Sequence, residues 1–465
     1  MGCVTVANIP HPEHFANMDH PTDPQLRALI EFLRFPSVST DPTRRAQTAA
    51  CADWVAARFR ALGLTTEVHP TPGHPVVTAR NTHRPGRRTV LIYGHYDVQP
   101  ADPLELWKHD PFEPQIENGV ITARGATDNK GQILAHILGV EQALAGGGEL
   151  PVNLIFLVEG EEEIGSPSLP GFLATHRSAL ACDVVAISDT GMIGRGIPTF
   201  TYGLRGISCM EVRLHGPDKD LHSGIFGGAV ANPITQLARL LATLHHADGR
   251  IAIEGYCDDV RPLEAWEREA WSRLPLKDGD LLTLSGAPEL FGEPGYTAIE
   301  RTWARPTAEL NGITGGYQGE GSKTVLPATA SAKLSFRLVP GQDPKRAEAL
   351  ITAHLRRHAP PGVRLEIETG HSGAPYCVDP HAGFGRAAQN ALRATFGGAE
   401  PALIREGGSI PIVTDGFQSI LGVDTLLLGL ALPDCRCHSP NENFLLENFA
   451  AGIRLNGHLL RELAA

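Results

Sequence analysis

Metal-capable and acidic side chains recur in this chain at one kind of place, directly after a strand-like apolar run. The run TVLIYG leads into His95, with Asp97 two residues further on; VNLIFLVEGE leads into Glu162 and Glu163. CDVVAIS leads into Asp189, TLLLGLALPDCRC leads into His438, and Asp128 sits in the loop RGATDNKG. In an open α/β sheet, ligands gather outside the carboxyl ends of the strands, so residues hundreds of positions apart can meet there. Two histidines with three or four carboxylates in such a place are the donor set that a pair of divalent cations requires. The pattern points to a metallohydrolase.

The strands alternate with helix-like segments over the first ~200 residues, as βαβ units do. Thr48 to Leu62 has apolar residues at helical spacing and stops at Gly63; Gln132 to Leu144 behaves likewise and ends in three glycines. The pattern changes near Tyr202. SCMEVRLHG, SAKLSFRLVP and VRLEIET alternate like half-buried strands, and amphipathic helices are expected from Asn232 to His245 and from Pro344 to Arg357. That order, with a longer irregular stretch inside it, fits a smaller α+β domain with helices on one face of a sheet. Helix–strand alternation resumes near Tyr376, and Glu442 to Leu463 reads as a closing helix. The expected organisation is a discontinuous α/β domain of residues 1–203 and 376–465, interrupted by an inserted domain at 204–375.

Bulk properties bound the function. At 465 residues, two domains are the sensible expectation. No apolar run approaches the ~18–20 residues that span a bilayer. The first 26 residues hold no Lys, Arg or apolar core segment, so no signal peptide is expected. MGCVTV opens like a myristoylation site but has Val6 where Ser or Thr is required. Eight scattered cysteines read as reduced thiols, and a soluble, cytoplasmic protein is expected. A net charge of −12 with no dense Lys/Arg stripe argues against a nucleic-acid partner.

The spacing within the acidic motifs assigns roles. In the HxD of His95 and Asp97, the His can face a metal while the Asp accepts its other ring N–H. The adjacent carboxylates Glu162 and Glu163 point different ways, so one can bind metal while its neighbour handles protons. A carboxylate such as Asp128 can bridge two cations ~3.5–4 Å apart. Imidazole with carboxylate suits zinc, and a carboxylate-rich set also admits manganese or cobalt.

GHYDVQP, RGATDNKGQ, VEGEEEIGS, SDT, DLHSGIFGG, TGGYQGEGSKTVLPA, SFRLVP, REGGSIP and CHSPNE occur in that order from about residue 90 to 445. Together they resemble the di-metal aminoacylase/carboxypeptidase/dipeptidase superfamily, in its cytosolic nonspecific dipeptidase or carnosinase-like branch. The resemblance implies a zinc-peptidase-like catalytic domain with a mostly parallel sheet, and an inserted α+β lid and dimerisation domain. It implies two divalent cations per subunit. His95 and Asp189 would bind one, Glu163 and His438 the other, and Asp128 would bridge them. Glu162 would be the general base, taking a proton from a water between the cations to leave a bridging hydroxide, and Asp97 would orient His95. His222 would reach into the partner subunit's site of a homodimer. Arg337 would grip the substrate's terminal carboxylate, with Thr324, His371 and Ser409 as further pocket contacts. The implied activity is hydrolysis of dipeptides or short peptides with a free C-terminal carboxylate; an N-acyl amino acid deacylase on the same fold is the alternative.

The chain departs from the family pattern in three places. Asn129 stands where the family has Asp after the bridging residue, in a cis linkage. Thr190-Gly191 replaces an Asn and an aromatic residue, leaving more room. Cys435 and Cys437 flank His438 and read as structural. Other motifs carry less. GYQGEGSKT lacks the GK pair of a P-loop, because Ser322 intervenes. GGSIP lacks the final glycine of a nucleophile elbow. His245-His246 reads as a solvated helix end, and Trp266 and Trp271 as packing residues of a lid helix.

Overall fold

The structure, a computed structural model, describes residues 23–465. Cys3, Val6 and most of the amino-terminal stretch read above lie outside the described residues. The chain divides into two compact units. Residues up to Tyr202, Val378–Ile404 and Asp415–Ala465 form one; Gly203–Cys377 and Arg405–Thr414 form the other.

The first unit is built on a twisted mixed sheet. Its strands follow the order Thr65–His69, Val76–Arg80, Asn153–Glu159, Thr89–His95, Val184–Ile187, Asp424–Leu427 and Thr199–Leu204. The middle four strands are parallel, and the pairings towards either edge are antiparallel. Parallel strands are covered on both faces and so read as unbroken apolar runs. Asn153–Glu159 and Val184–Ile187 are accordingly buried along their whole length, and Thr89–His95 is buried from Val90 onward. Each large aliphatic side chain there contributes about 1.5–3 kcal/mol relative to exposure. Helix Lys130–Leu144 packs along the closing helix Leu446–Ala464, which in turn packs along Gly383–Thr395.

Register brings the strand ends level. His95 pairs with Glu159, Tyr93 with Ile187, and Leu427 with Ile187. The segments leaving these strands therefore start side by side. Gly94 lets the start of helix Lys130–Leu144 lie against the sheet: a Cβ there would stand 2.8 Å from both Asn129 Oδ1 and Ile133 Cβ.

The second unit is a four-stranded antiparallel sheet in the order Glu309–Gly315, Thr329–Leu338, Gly206–His215 and Arg364–Gly373. Helices Pro233–Ala242 and Pro344–Arg357 pack against it. Alternate residues of the two central strands (Val212 and Leu214, Leu334 and Phe336) form its core with Leu237, Leu241, Ile351 and Leu355. The stretch expected to be irregular instead contains helices Ala265–Ser272, Asp278–Ser285 and Ala298–Ala304, and then the edge strand. That strand is mostly exposed, so it lacks the apolar alternation that marks the others. Trp271 is buried, edge-to-face with Trp303. The helix from Pro233 ends at Ala242, and His245 lies beyond it in an isolated bridge to Ile251, not at the helix end. GYQGEGSKT runs into the short strand Val325–Leu326, with no helix after it. Among the described residues no helix is long and apolar enough to cross a membrane.

Candidate metal centre

Within the first unit, the strand-end loops bring two triads of donor atoms together. His95, Asp128 and Asp189 form one; Asp128, Glu163 and His438 form the other. In each triad the donor atoms all lie within 4.8 Å of one another. Asp128 belongs to both and splits its oxygens between them. Its Oδ1 is 3.2 Å from His95 Nε2, and its Oδ2 is 2.8 Å from His438 Nε2. Asp189 Oδ2 lies 3.6 Å from His95 Nε2, and Glu163 Oε2 lies 3.4 Å from His438 Nε2. Glu162 belongs to neither triad, yet its Oε2 is 4.0 Å from His95 Nε2.

Surrounding groups hold these side chains in place. His95 Nδ1 is nearest the backbone carbonyl of Asp97, at 3.0 Å, with the Asp97 carboxylate at 3.3 Å. That carboxylate also accepts from the backbone N–H groups of Glu162 (3.3 Å) and Glu163 (3.1 Å), tying the HxD turn to the next loop. Gln99, which the sequence reading left without a role, donates to Glu163 Oε2 at 2.8 Å. Asn129 follows a cis Asp128–Asn129 peptide bond. Its Nδ2 donates to Ser188 O (2.6 Å) and Asp189 Oδ1 (2.8 Å), and its Oδ1 accepts from the His95 N–H at 3.3 Å. The carboxamide thus supplies two donors where an ionised carboxylate would supply none.

Glu442, which the sequence places in CHSPNE and at the start of the closing helix, lies before that helix and sets the loop that carries Asp128. It is fully buried. One oxygen accepts from the N–H groups of Thr127 (2.9 Å) and Asp128 (3.0 Å). The other accepts from Gly125 N–H (2.9 Å) and from the buried Arg124 guanidinium (2.7 Å). No local spacing signals this partnership, because its members are more than 300 positions apart.

Electrostatics test whether cations fit. Burial pushes Glu162 well above the usual carboxylate range; His95 eases that shift, while Asp189, Asp128 and Glu163 add to it. Burial, reinforced by Asp128, pushes Glu163 up to about 9. Asp189 is raised by burial too. Burial also works against the charge of Asp128, but hydrogen bonds from His438 and His95 hold its carboxyl below the usual range. Glu163 Oε1 is buried with no hydrogen-bond partner among the described residues. An orphaned carboxylate oxygen among crowded like charges is the arrangement that a divalent cation resolves. The mixed imidazole and carboxylate donors suit zinc, and also manganese.

The other predicted site residues belong to the second unit. Arg337, on strand Thr329–Leu338, lies with Nη1 3.5 Å from Ser409 Oγ. His371 Nε2 is 3.6 Å from Cys209 Sγ. Thr324 accepts from Ser223 N–H through its carbonyl, and exposed His222 accepts from Gly224 N–H at 3.0 Å. Among the described residues, no hydrogen bond or ion pair joins His371 or Thr324 to the Arg337–Ser409 pair.

The sequence pattern of peptidase family M20/M25/M40 matches residues 91–462, from the strand before His95 to the closing helix. The chain belongs to that family. Its relatives include the Cys-Gly metallodipeptidase dug1 of Schizosaccharomyces pombe, 35% identical over 96% of this chain and 97% of that protein. The human Beta-Ala-His dipeptidase is 33% identical over 84% of this chain and 78% of its own. Among solved structures, the M20 family metallo-carboxypeptidase Sso-CP2 of Sulfolobus solfataricus superposes with a TM-score of 0.83 at 34% identity. That match covers 95% of this chain and all of the other. The family's fold is the one described here, a mixed α/β catalytic unit with a second, lid-bearing unit.

The role of Glu442 in this family member is open to direct test. Glu442→Gln puts an amide where three N–H groups and a guanidinium need an acceptor, and leaves the Arg124 charge buried without its partner. Urea denaturation should show a loss of about 3–5 kcal/mol. A change within about 0.5 kcal/mol, the size of an ordinary surface substitution, would rule out the clamp.

Proposed function

We propose that this chain is a metallodipeptidase that hydrolyses dipeptides or short peptides with a free C-terminal carboxylate. The observation that carries the reading is Glu162. It is a carboxylate set beside the donor cluster, outside both triads and raised in pKa. A protein that only stored metal would have no use for it. The names of the fission-yeast and human relatives, a Cys-Gly and a Beta-Ala-His dipeptidase, support the substrate class. They do not favour the deacylase alternative.

His95, Asp128 and Asp189 would hold one divalent cation, and Asp128, Glu163 and His438 the other. Zinc is the metal of choice, with manganese or cobalt as substitutes. Bound there, two cations supply Lewis acidity toward a carbonyl oxygen and bring the pKa of a water near neutrality. Glu162 accepts the proton of the attacking water and returns it to the departing amine nitrogen. Asp97 keeps the His95 ring oriented through Nδ1.

The second unit would act as lid and dimerisation domain, and as the source of the substrate grip. Arg337 fixes the terminal carboxylate with Ser409 beside it, so that binding energy at a remote charge is used for orientation. Thr324 and His371 would be further contacts for the substrate. His222, offered by the partner subunit of a homodimer, donates to the oxyanion of the tetrahedral intermediate. The exposed apolar side chains Ile225, Phe226 and Ile313 of this unit support an interface there. The free cysteines among the described residues support a cytoplasmic setting.

Glu162→Gln should keep its metal content but lose turnover by a factor of roughly 10²–10⁴, read on a panel of dipeptides against N-acetyl and N-succinyl amino acids. Near wild-type turnover would reject the base assignment, and preferential cleavage of the acyl amino acids would reject the dipeptidase reading.

A second expectation concerns His222. Mixing inactive His222→Ala and Glu162→Gln subunits should regenerate one working site per heterodimer, seen as recovered activity after subunit exchange. Confirmed exchange without recovery would place His222 in its own subunit's site.

A further inference from the structure

Cys435 and Cys437 flank Arg436 in the turn that delivers His438, and the mechanism above uses neither. Their Sγ atoms lie 3.2 Å apart, and both thiols are free. A disulfide requires about 2.05 Å between sulfurs, so closing the bond takes a movement on the order of 1 Å. Backbone shape keeps the pair together. Arg436 and His438 both adopt left-handed conformations, with φ of 58° and 59°. Cys435 is pinned at both ends of its peptide: its N–H donates to Leu432 O at 3.0 Å, and its carbonyl accepts from Asn443 N–H at 2.8 Å. Cys437 is partly exposed, whereas Cys435 is 8% exposed. One thiol thus meets solvent while the other waits behind it, the arrangement of an attacking and a resolving thiol.

We infer that Cys435 and Cys437 are a modification site, closing to a reversible disulfide by exchange with a small-molecule disulfide, and that closure withdraws His438 from its triad. Cys437, the thiol that solvent reaches, gives up its proton to solvent, attacks the small disulfide and expels one thiolate, leaving a mixed disulfide. Cys435 gives up its proton to solvent, attacks the Cys437 sulfur and expels the second thiolate. Two electrons pass from the protein thiols to the small disulfide, and the two protons end on the released thiols. His438 is bonded to the residue that moves, and its Nε2 is 2.8 Å from Asp128 Oδ2. Metal–ligand distances in a formed site keep to within about 0.2 Å of their standard values, so a shift of the His438 imidazole weakens the Asp128–Glu163–His438 triad. The His95–Asp128–Asp189 triad does not pass through this turn and is spared. The effect on metal rests on the metal-centre reading; the disulfide itself does not.

The full-length zinc-loaded protein, exposed to oxidised glutathione, tests both parts. Alkylation of free thiols followed by non-reducing peptide mapping should find Cys435 and Cys437 unalkylated and two hydrogens lighter. Zinc retained after gel filtration should fall from two toward one per chain, and dithiothreitol with added zinc should restore it. Cys435→Ser should stop at a mixed disulfide on Cys437, and Cys437→Ser should form no bridge; both should keep two zinc ions under the same treatment. Two alkylated thiols, or a separate glutathione on each, would overturn the bridge. A bridged protein that keeps both zinc ions, or equal zinc loss from the serine variants, would overturn its link to His438. A content below two zinc before oxidation would count against the metal-centre reading, while the peptide map still decides the bridge.

Discussion

Crowding of like charge is the constraint on which this structure turns. Asp128, Glu162, Glu163 and Asp189 surround two imidazoles in a place where solvent screens little. Burial pushes most of these carboxyls upward, and the Asp128 charge adds to the shift of Glu162, Glu163 and Asp189. A fold tolerates such a cluster only if protons or cations balance it, because an unpaired buried charge costs several kcal/mol. Two divalent cations would neutralise four negative charges and engage the orphaned oxygen of Glu163.

The rest of the first unit serves to hold that crowd together. Parallel strands in matched register begin their outgoing loops side by side, and burial on both faces makes the platform stiff. Asp97 bonds two backbone N–H groups of the Glu162–Glu163 loop, Asn129 joins the Asp128 loop to Asp189, and Glu442 joins it to the turn after His438. Each of the five loops is therefore tied to another by a side chain that need not itself touch metal. These ties fix donor positions before any cation arrives.

Much of this was legible in the chain because the physics is local. A parallel strand buried on both faces must be an apolar run, so the positions of His95, Asp189 and His438 just past such runs could be read directly. The alternation in SCMEVRLHG and SAKLSFRLVP marked the second unit's central strands for the same reason. Other features left no local trace. Glu442 and Gln99 act by hydrogen bonds to distant partners, and nothing around either residue distinguishes it from a solvated polar group. The Asp97 carboxylate was read as the acceptor for His95, whereas its backbone carbonyl lies nearer. Glu309–Gly315 pairs by backbone alone on an exposed edge, so its side chains show no period. Arg405–Thr414 joins the second unit although the chain on either side belongs to the first.

Calorimetric titration of the metal-free protein with zinc at neutral pH, in two buffers of different ionisation enthalpy, tests the central claim most directly. Carboxyls held protonated by burial and mutual repulsion must release protons when cations replace them. Two zinc ions bound per chain, with net proton release shown by a buffer-dependent enthalpy, is the result this account requires. Fewer than two zinc ions, or binding with the same heat in both buffers, would contradict it.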